Sequence, residues 1–421
     1  MNSVPHEVFE LFHKYGKMMA SQGYPLGEEA RMLLDRYDGV YGTKKGADFS
    51  NLKWKDVVKQ SDQHFATHKS GMHARVVSQT PYCQQCLQEG VTFQAALDDM
   101  AQIIGPKAVI ANMTQANKKK GAKEMAVAAS NAAGFFVQDR VKDGLPAGYT
   151  LTVGRNLYEA VAAMAVLEKA AETHLKSRVL GGTKPLSGFT AKQMRKNYKE
   201  NYSAAEAAEK ETEMSEGIAA EDAAAEIWDG RWDARETELR QKLVDYGNKL
   251  VETGLVQGTW GNLSIRLNDK YMLVTPSGLD YTRLTAADMV KVDLQTMKHE
   301  GGLKPTSEKG LHAAIYRERP AVNAIVHTHS RYCSMFAAAQ AELPVEDTEA
   351  QKVFGTSIGL AKYAKAGSDK LAKYTAAALG RNFGALMSNH GMVTCGADME
   401  SAFANCQLME KTAEVYIESR L

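Results

Sequence analysis

His327-Thr328-His329 sets two imidazoles two residues apart behind the apolar run Ala324-Ile325-Val326. Alternate side chains of a strand point to one face, so an HxH pair can share one cation. A third imidazole, His390, stands in Ser388-Asn389-His390-Gly391, where the glycine permits a tight reversal. Glu308 opens a predicted helix directly after Pro305-Thr306-Ser307. Three imidazoles with one carboxylate describe an open catalytic zinc-type site better than a closed structural one. His299 and His312 are assigned to packing or surface roles.

Two glycine-bearing loops precede these histidines. Gly258-Thr259-Trp260-Gly261-Asn262 follows the first predicted helix of this half, and Thr275-Pro276-Ser277-Gly278 ends a strand. With Thr306 and Ser307 they offer backbone N–H groups and short hydroxyls, the equipment for holding a phosphate.

The elements that must position these groups read as an α/β fold. Helices are predicted over 236–252, 309–317, 368–379 and 399–419, and strands over 263–267, 271–275, 324–326, 384–388 and 392–395. The connections at Asn268-Asp269 and His390-Gly391 are hairpin-short, which favours a three-layer α/β/α sandwich with a mainly antiparallel central sheet.

Composition sets the outer bounds. The chain has 421 residues, 44% hydrophobic and 24% charged, enough for more than one core. Its formal charge of +1 gives no reason to expect a nucleic-acid or membrane partner. The beginning of the chain shows no secretory signal and no stretch is apolar enough to span a bilayer, so a cytoplasmic location is expected. Five cysteines do not make a disulfide framework, and Cys83-Gln84-Gln85-Cys86 reads as buried packing.

Three segments recur in order. Residues 43–58 line up on 275–290, 74–83 on 324–333 with one residue of slippage, and 154–178 on 396–420. This predicts two tandem copies: 1–182 without a metal site, a basic tail and Ala/Glu-rich linker at 183–231, and a catalytic copy at 232–421. At the positions of His327 and His329 the first copy is read as Ser78 and Thr80, and at that of His390 as Gly148 or another residue of Leu145-Pro146-Ala147-Gly148. The three candidate ligands vanish together, which residues held for packing would not do.

The order GTWGN, TPSG, TSE, HTH, NHG, then a long Glu-rich helix, closely resembles the class II aldolase/adducin head family across the whole second copy. The resemblance implies His327, His329 and His390 as metal ligands and Glu308 as the acid/base carboxylate, able also to touch the resting metal. It implies an anion pocket of Thr259, Gly261, Asn262, Ser277, Gly278, Thr306 and Ser307. One divalent ion per chain follows, Zn2+ foremost, with Mn2+, Fe2+ and Co2+ compatible. The implied chemistry is metal-dependent cleavage of a phosphorylated ketose or similar hydroxycarbonyl compound through an enediolate. Decarboxylation, dehydration and epimerisation use the same intermediate, and an adducin-like interaction role is the non-catalytic alternative. The tyrosine that the family's fuculose-phosphate aldolase type carries past this point is missing from Pro344-Val345-Glu346-Asp347-Thr348. The resemblance further implies a homo-oligomer, a dimer or tetramer with a pseudo-four-fold ring. In it Arg195, Lys196, Tyr198 and Tyr202 of the tail are the groups available to bind an anion or replace that tyrosine.

Overall fold

The computed structural model describes residues 4–21, 23–61, 71–114, 120, 132–202, 232–256 and 260–421, excluding the side chains of Ser61, Asn201 and Tyr202. The chain divides into two compact units, Met1–Leu175 with Pro185–Ala207, and Lys176–Lys184 with Ala208–Leu421. Most of the expected linker, 203–231, lies outside the described residues.

In unit one, α1 (His6–Ala20) buries Val8, Phe12, Tyr15 and Met19, spaced three and four apart as one helix face requires. Strands β1 (Arg31–Arg36), β2 (Gly39–Thr43), β3 (Val57–Ser61) and β4 (Ala74–Ser78) follow, then α2 (Pro81–Gln88). The short strands β5 (Phe93–Gln94) and β6 (Lys107–Ala108) pair with each other around α3 (Asp98–Ile103). After β7 (Ile110–Asn112) come β8 (Gly134–Lys142), β9 (Leu145–Gly154), α4 (Leu157–Lys176) and α5 (Gly188–Asn197). The sheet order is β3-β2-β1-β4-β9-β8-β7, antiparallel except for β7 beside β8.

In unit two, α6 (Ala234–Glu252) starts where Asp233 accepts the Glu236 N–H at 2.7 Å, two residues earlier than predicted because that cap lies outside the apolar pattern. Strands β10 (Gly261–Arg266), β11 (Tyr271–Val274), β12 (Val290–Asp293) and β13 (His299–Glu300) precede α7 (Lys309–Glu318). Strand β14 (Ala324–Thr328) is buried throughout and runs through His327, ending one residue before His329. Helix α8 (Arg331–Ala339), strand β15 (Leu343–Pro344), α9 (Thr348–Phe354), β16 (Ser357–Ile358) and β17 (Leu360–Ala361) come next. Helix α10 (Asp369–Leu379) begins one residue late because Ser368 is its N-cap, accepting the Leu371 N–H. The hairpin β18 (Gly384–Met387) and β19 (Gly391–Gly396) leads into α11 (Met399–Glu418). The order is β13-β12-β11-β10-β14-β19-β18-β17, antiparallel except for β17 beside β18.

The β10–β14–β19 centre of that sheet is covered on both faces. Leu263, Val326 and Met392 join one core with Leu243, Phe336 and Phe403, while Ile325 and Val393 join the other with Leu311, Ile315 and Leu371. Each such buried side chain stabilises the fold by roughly 1.5–3 kcal/mol, so β14 is fixed from both sides.

The same hydrogen bonds recur in each unit. Thr43 Oγ1 accepts the Met32 N–H, and Thr275 Oγ1 accepts the Leu263 N–H. Thr152 Oγ1 donates to the Ala160 carbonyl, and Thr394 Oγ1 to that of Ala402. Glu168 accepts from Thr80 Oγ1 and from the Tyr82 and Cys83 N–H groups, while Glu410 accepts from Ser330 Oγ, Tyr332 and Cys333. This last pattern corrects the one-residue slippage. Thr80 stands where Ser330 stands, so the positions matching His327 and His329 are Val77 and Gln79, not Ser78 and Thr80. A single-residue error on a strand exchanges its two faces.

Candidate metal centre

Both neighbours of β14 approach its backbone at a glycine. A Cβ on Gly391 would lie 2.4 Å from the Thr328 carbonyl oxygen, and one on Gly261 would lie 2.7 Å from that of His327. Gly261 also has φ +125°, a backbone conformation that favours glycine. These approaches bring Asn262 from one side and His390 from the other onto the His-Thr-His segment. Asn389, at φ 60° in the β18–β19 turn, donates its backbone N–H to the Ala337 carbonyl, which anchors the turn carrying His390.

The three imidazoles meet nitrogen to nitrogen. His327 Nε2 lies 3.1 Å from His329 Nε2 and 3.2 Å from His390 Nε2. Glu308, the N-cap of α7, places Oε2 3.0 Å from His327 Nε2 and Oε1 3.1 Å from His390 Nε2. All four side chains are buried. His327 Nδ1 lies 2.7 Å from the Met392 carbonyl oxygen, which can only accept, so Nδ1 carries the proton. With Nδ1 engaged there, the ring turns its Nε2 to the other two imidazoles and the carboxylate. Tetrahedral ligands at about 2.0–2.1 Å from zinc stand about 3.3 Å apart, close to the separations found. The residues present fit a divalent metal.

Burial alone would push the Glu308 carboxyl up, but the His327 and His390 imidazoles beside it hold it well below the usual carboxylate range. A cation bound at the three Nε2 atoms would act in the same sense.

A line of buried hydrogen bonds stands behind Glu308. Asn262 Nδ2 donates to Glu308 Oε2 at 3.1 Å, and Asn262 Oδ1 lies 2.6 Å from His312 Nε2. The amide oxygen only accepts, so His312 Nε2 is the donor. His312 Nδ1, 2.6 Å from Ser264 Oγ, then accepts the serine proton, and Ser264 Oγ in turn lies 2.8 Å from Tyr316 Oη. Burial lowers the His312 pKa to about 3, so the ring is neutral, as this chain of donors demands. Every donor points towards the carboxylate, an arrangement in which each bond polarises the next. His312 is thus not a mere packing residue: it sets which way the Asn262 amide faces. Two spacings in the sequence carried this signal, Asn262 and Ser264 at alternate strand positions, and Glu308 and His312 four apart on α7. His299 is exposed, in keeping with a surface role.

The loops expected to hold an anion come together beside Glu308. Pro276 and Pro305 form a β-bridge, the Ser277 N–H donates to the Lys304 carbonyl, and the Thr306 N–H to that of Thr275. Thr306 is buried and its Oγ1 accepts the Glu308 N–H at 3.3 Å. Ser307 is exposed, Ser277 and Gly261 are half-buried, and Gly278 turns at φ +80°. Thr259 lies outside the described residues. Of the tail groups, Arg195 and Tyr198 line a cavity built wholly from unit one, and the side chain of Tyr202 lies outside the described residues. Cys83 and Cys86 are buried and form no disulfide. No helix among the described residues is long and apolar enough to cross a membrane.

Residues 241–417 match the family of class II aldolase and adducin N-terminal domains. The chain is 34% identical over 180 residues to L-fuculose phosphate aldolase of Escherichia coli K12, covering 43% of this chain and 83% of that relative. The chain belongs to the class II aldolase family. A 5-deoxy-D-ribulose 1-phosphate aldolase of Bacillus thuringiensis is 32% identical over 182 residues, 43% of this chain and 85% of that one. A solved L-fuculose 1-phosphate aldolase aligns at 33% identity with a TM-score of 0.42, over 44% of this chain and 86% of its own. As a class II aldolase the chain is an aldolase-type lyase of a divalent-metal-dependent class. The matched residues all fall in unit two, which holds the histidine cluster.

Proposed function

We propose that unit two catalyses reversible aldol cleavage of a phosphorylated ketose, with His327, His329 and His390 holding one divalent metal, Zn2+ foremost. The observation that carries this is the convergence of three Nε2 atoms and the Glu308 carboxylate on one point. A divalent metal held there by His327, His329 and His390 would supply Lewis acidity, stabilising the negative charge that develops on a hydroxycarbonyl substrate. Glu308 would move a proton to or from the substrate carbon beside the carbonyl. Asn262, oriented by His312, steers the Glu308 carboxylate while it does so. Gly261, Ser277, Gly278, Thr306 and Ser307 offer the N–H and hydroxyl groups for the phosphate, with Thr259 in the same role.

We further propose that the chain is a tandem duplication with a degenerate first copy. The matching strand orders and the three recurring hydrogen-bond patterns support this. In unit one Gln79 takes the place of His329, its Nε2 donating to the Gly148 carbonyl at 2.9 Å where His390 would stand. Only residues 62–73 separate β3 from β4, against 294–323 between β12 and β14, the stretch that carries Glu308 and α7.

A screen of ketose 1-phosphates, including L-fuculose 1-phosphate and 5-deoxyribulose 1-phosphate, for metal-dependent aldehyde release tests the reading. Release of CO2 or water without aldehyde from acidic analogues would replace aldol cleavage by decarboxylation or dehydration.

A further inference from the structure

Unit one holds a cavity of about 180 Å3 that has no part in the metal centre. Its apolar wall includes Met72 and Val153, and its polar side is made by Arg155, Glu159, Arg195 and Lys199. Arg155 and Glu159 answer one another: Nε and Nη2 reach Glu159 Oε1 at 3.0 and 2.7 Å, and the Arg155 N–H reaches Oε2 at 2.8 Å. The other two cations are not answered. Arg195 is 8% exposed, donates Nη1 to the Gln102 carbonyl at 2.9 Å, and buries its Nε without a partner among the described residues. Lys199 stands at the cavity mouth and makes no ion pair among the described residues. Burial and the neighbouring Arg195 both pull the Lys199 pKa down, and burial does the same to Arg195.

A guanidinium cannot shed its charge as a buried lysine can, so a desolvated arginine calls for a counter-anion. Arg155 is also foreign to the shared framework, since Ala397 follows Gly396 where Arg155 follows Gly154. Helix α5 runs into a π-helical turn at Tyr198–Tyr202, a rare geometry found most often at functional sites, and Lys199 sits in that turn.

We propose that this cavity binds a small phosphate monoester, its dianion held by Arg195 and Lys199 and its carbon chain laid against Met72 and Val153. The charge count selects the ligand class. With Arg155 and Glu159 cancelling, two positive charges remain, and a phosphate monoester carries about −1.5 to −2 near neutral pH. A carboxylate leaves one of them unmatched.

Calorimetric titration of the full metal-loaded chain with inorganic phosphate tests this. Two classes of site are expected, one at the unit-two loops and one here. Lys199→Gln should weaken one class roughly tenfold, the loss of one charge-assisted hydrogen bond, and leave the other untouched. Ser277→Ala with Ser307→Ala should do the reverse. Arg195→Met should abolish the same class as Lys199→Gln and raise the melting temperature in phosphate-free buffer, since it removes an unpaired buried charge. Identical phosphate titrations for wild type, Lys199→Gln and Arg195→Met would overturn the site. A lower melting temperature for Arg195→Met with an unchanged phosphate response would make Arg195 structural only, and acetate binding as tightly as phosphate would overturn the dianion assignment.

Discussion

His327 donates its Nδ1–H to the Met392 carbonyl oxygen at 2.7 Å, and this bond decides which nitrogen the ring turns to the cluster. The partner is backbone on the adjacent strand β19, so the tautomer is written into the sheet register His327↔Val393 and Thr328↔Met392. A metal-ligating imidazole usually fixes its ring in this way.

Replacing His327 and His329 together by alanine should abolish metal binding, because only one candidate ligand set exists among the described residues. Elemental analysis of the purified variant checks this. Retention of the wild-type metal content would move the site elsewhere.

Glu308→Gln should keep most of the metal while turnover falls by roughly 10²–10⁴, the usual contribution of an acid/base group. The three imidazoles remain and Gln is isosteric, so binding and proton transfer separate. Steady-state kinetics beside metal analysis distinguishes the two. Unchanged turnover would remove Glu308 from the proton-transfer role.

The outline of the site was legible because its donors lie in short motifs whose spacing has one geometric meaning. His327 lies on β14 and His329 one residue past its end, two positions on, and Gly391 follows His390 where only a glycine clears the Thr328 carbonyl. One register was misread and one feature was not legible. The slip that set Ser78 and Thr80 against the histidines came from shifting a short apolar strand by one residue; the ungapped match of Tyr82-Cys83 on Tyr332-Cys333 already excludes it, and the bonds to Glu168 and Glu410 agree. The Met392 carbonyl has no side-chain signature, so the tautomer of His327 is visible only in the folded sheet.

His312 makes stability depend on acid in a way that one substitution isolates. Its folded pKa is about 3, against about 6.5 in an unfolded chain. Between these values the unfolded chain binds a proton that the folded chain does not, so stability falls as pH drops below about 6.5. The loss reaches about 3 kcal/mol near about pH 4. His312→Phe lacks this proton and should lose stability less steeply over the same range. Urea midpoints of the chelator-treated proteins near neutral pH and near pH 4.5 measure the difference, and equal slopes would contradict it.

Gly391→Ala should destabilise unit two by roughly 1–3 kcal/mol, the usual cost of overpacking, since its Cβ would meet backbone at 2.4 Å. The β18–β19 hairpin must shift and His390 with it, so metal affinity should fall alongside the melting temperature. A variant with the wild-type melting temperature and metal affinity would show that the close approach is not needed.

Titrating zinc into the chelator-treated full chain while following aldehyde release from a ketose 1-phosphate tests the central claim most directly. Activity should rise linearly and break at about one equivalent per chain, because the single ligand set lies in unit two. Cleavage that persists without metal, or a break at two equivalents, would contradict it.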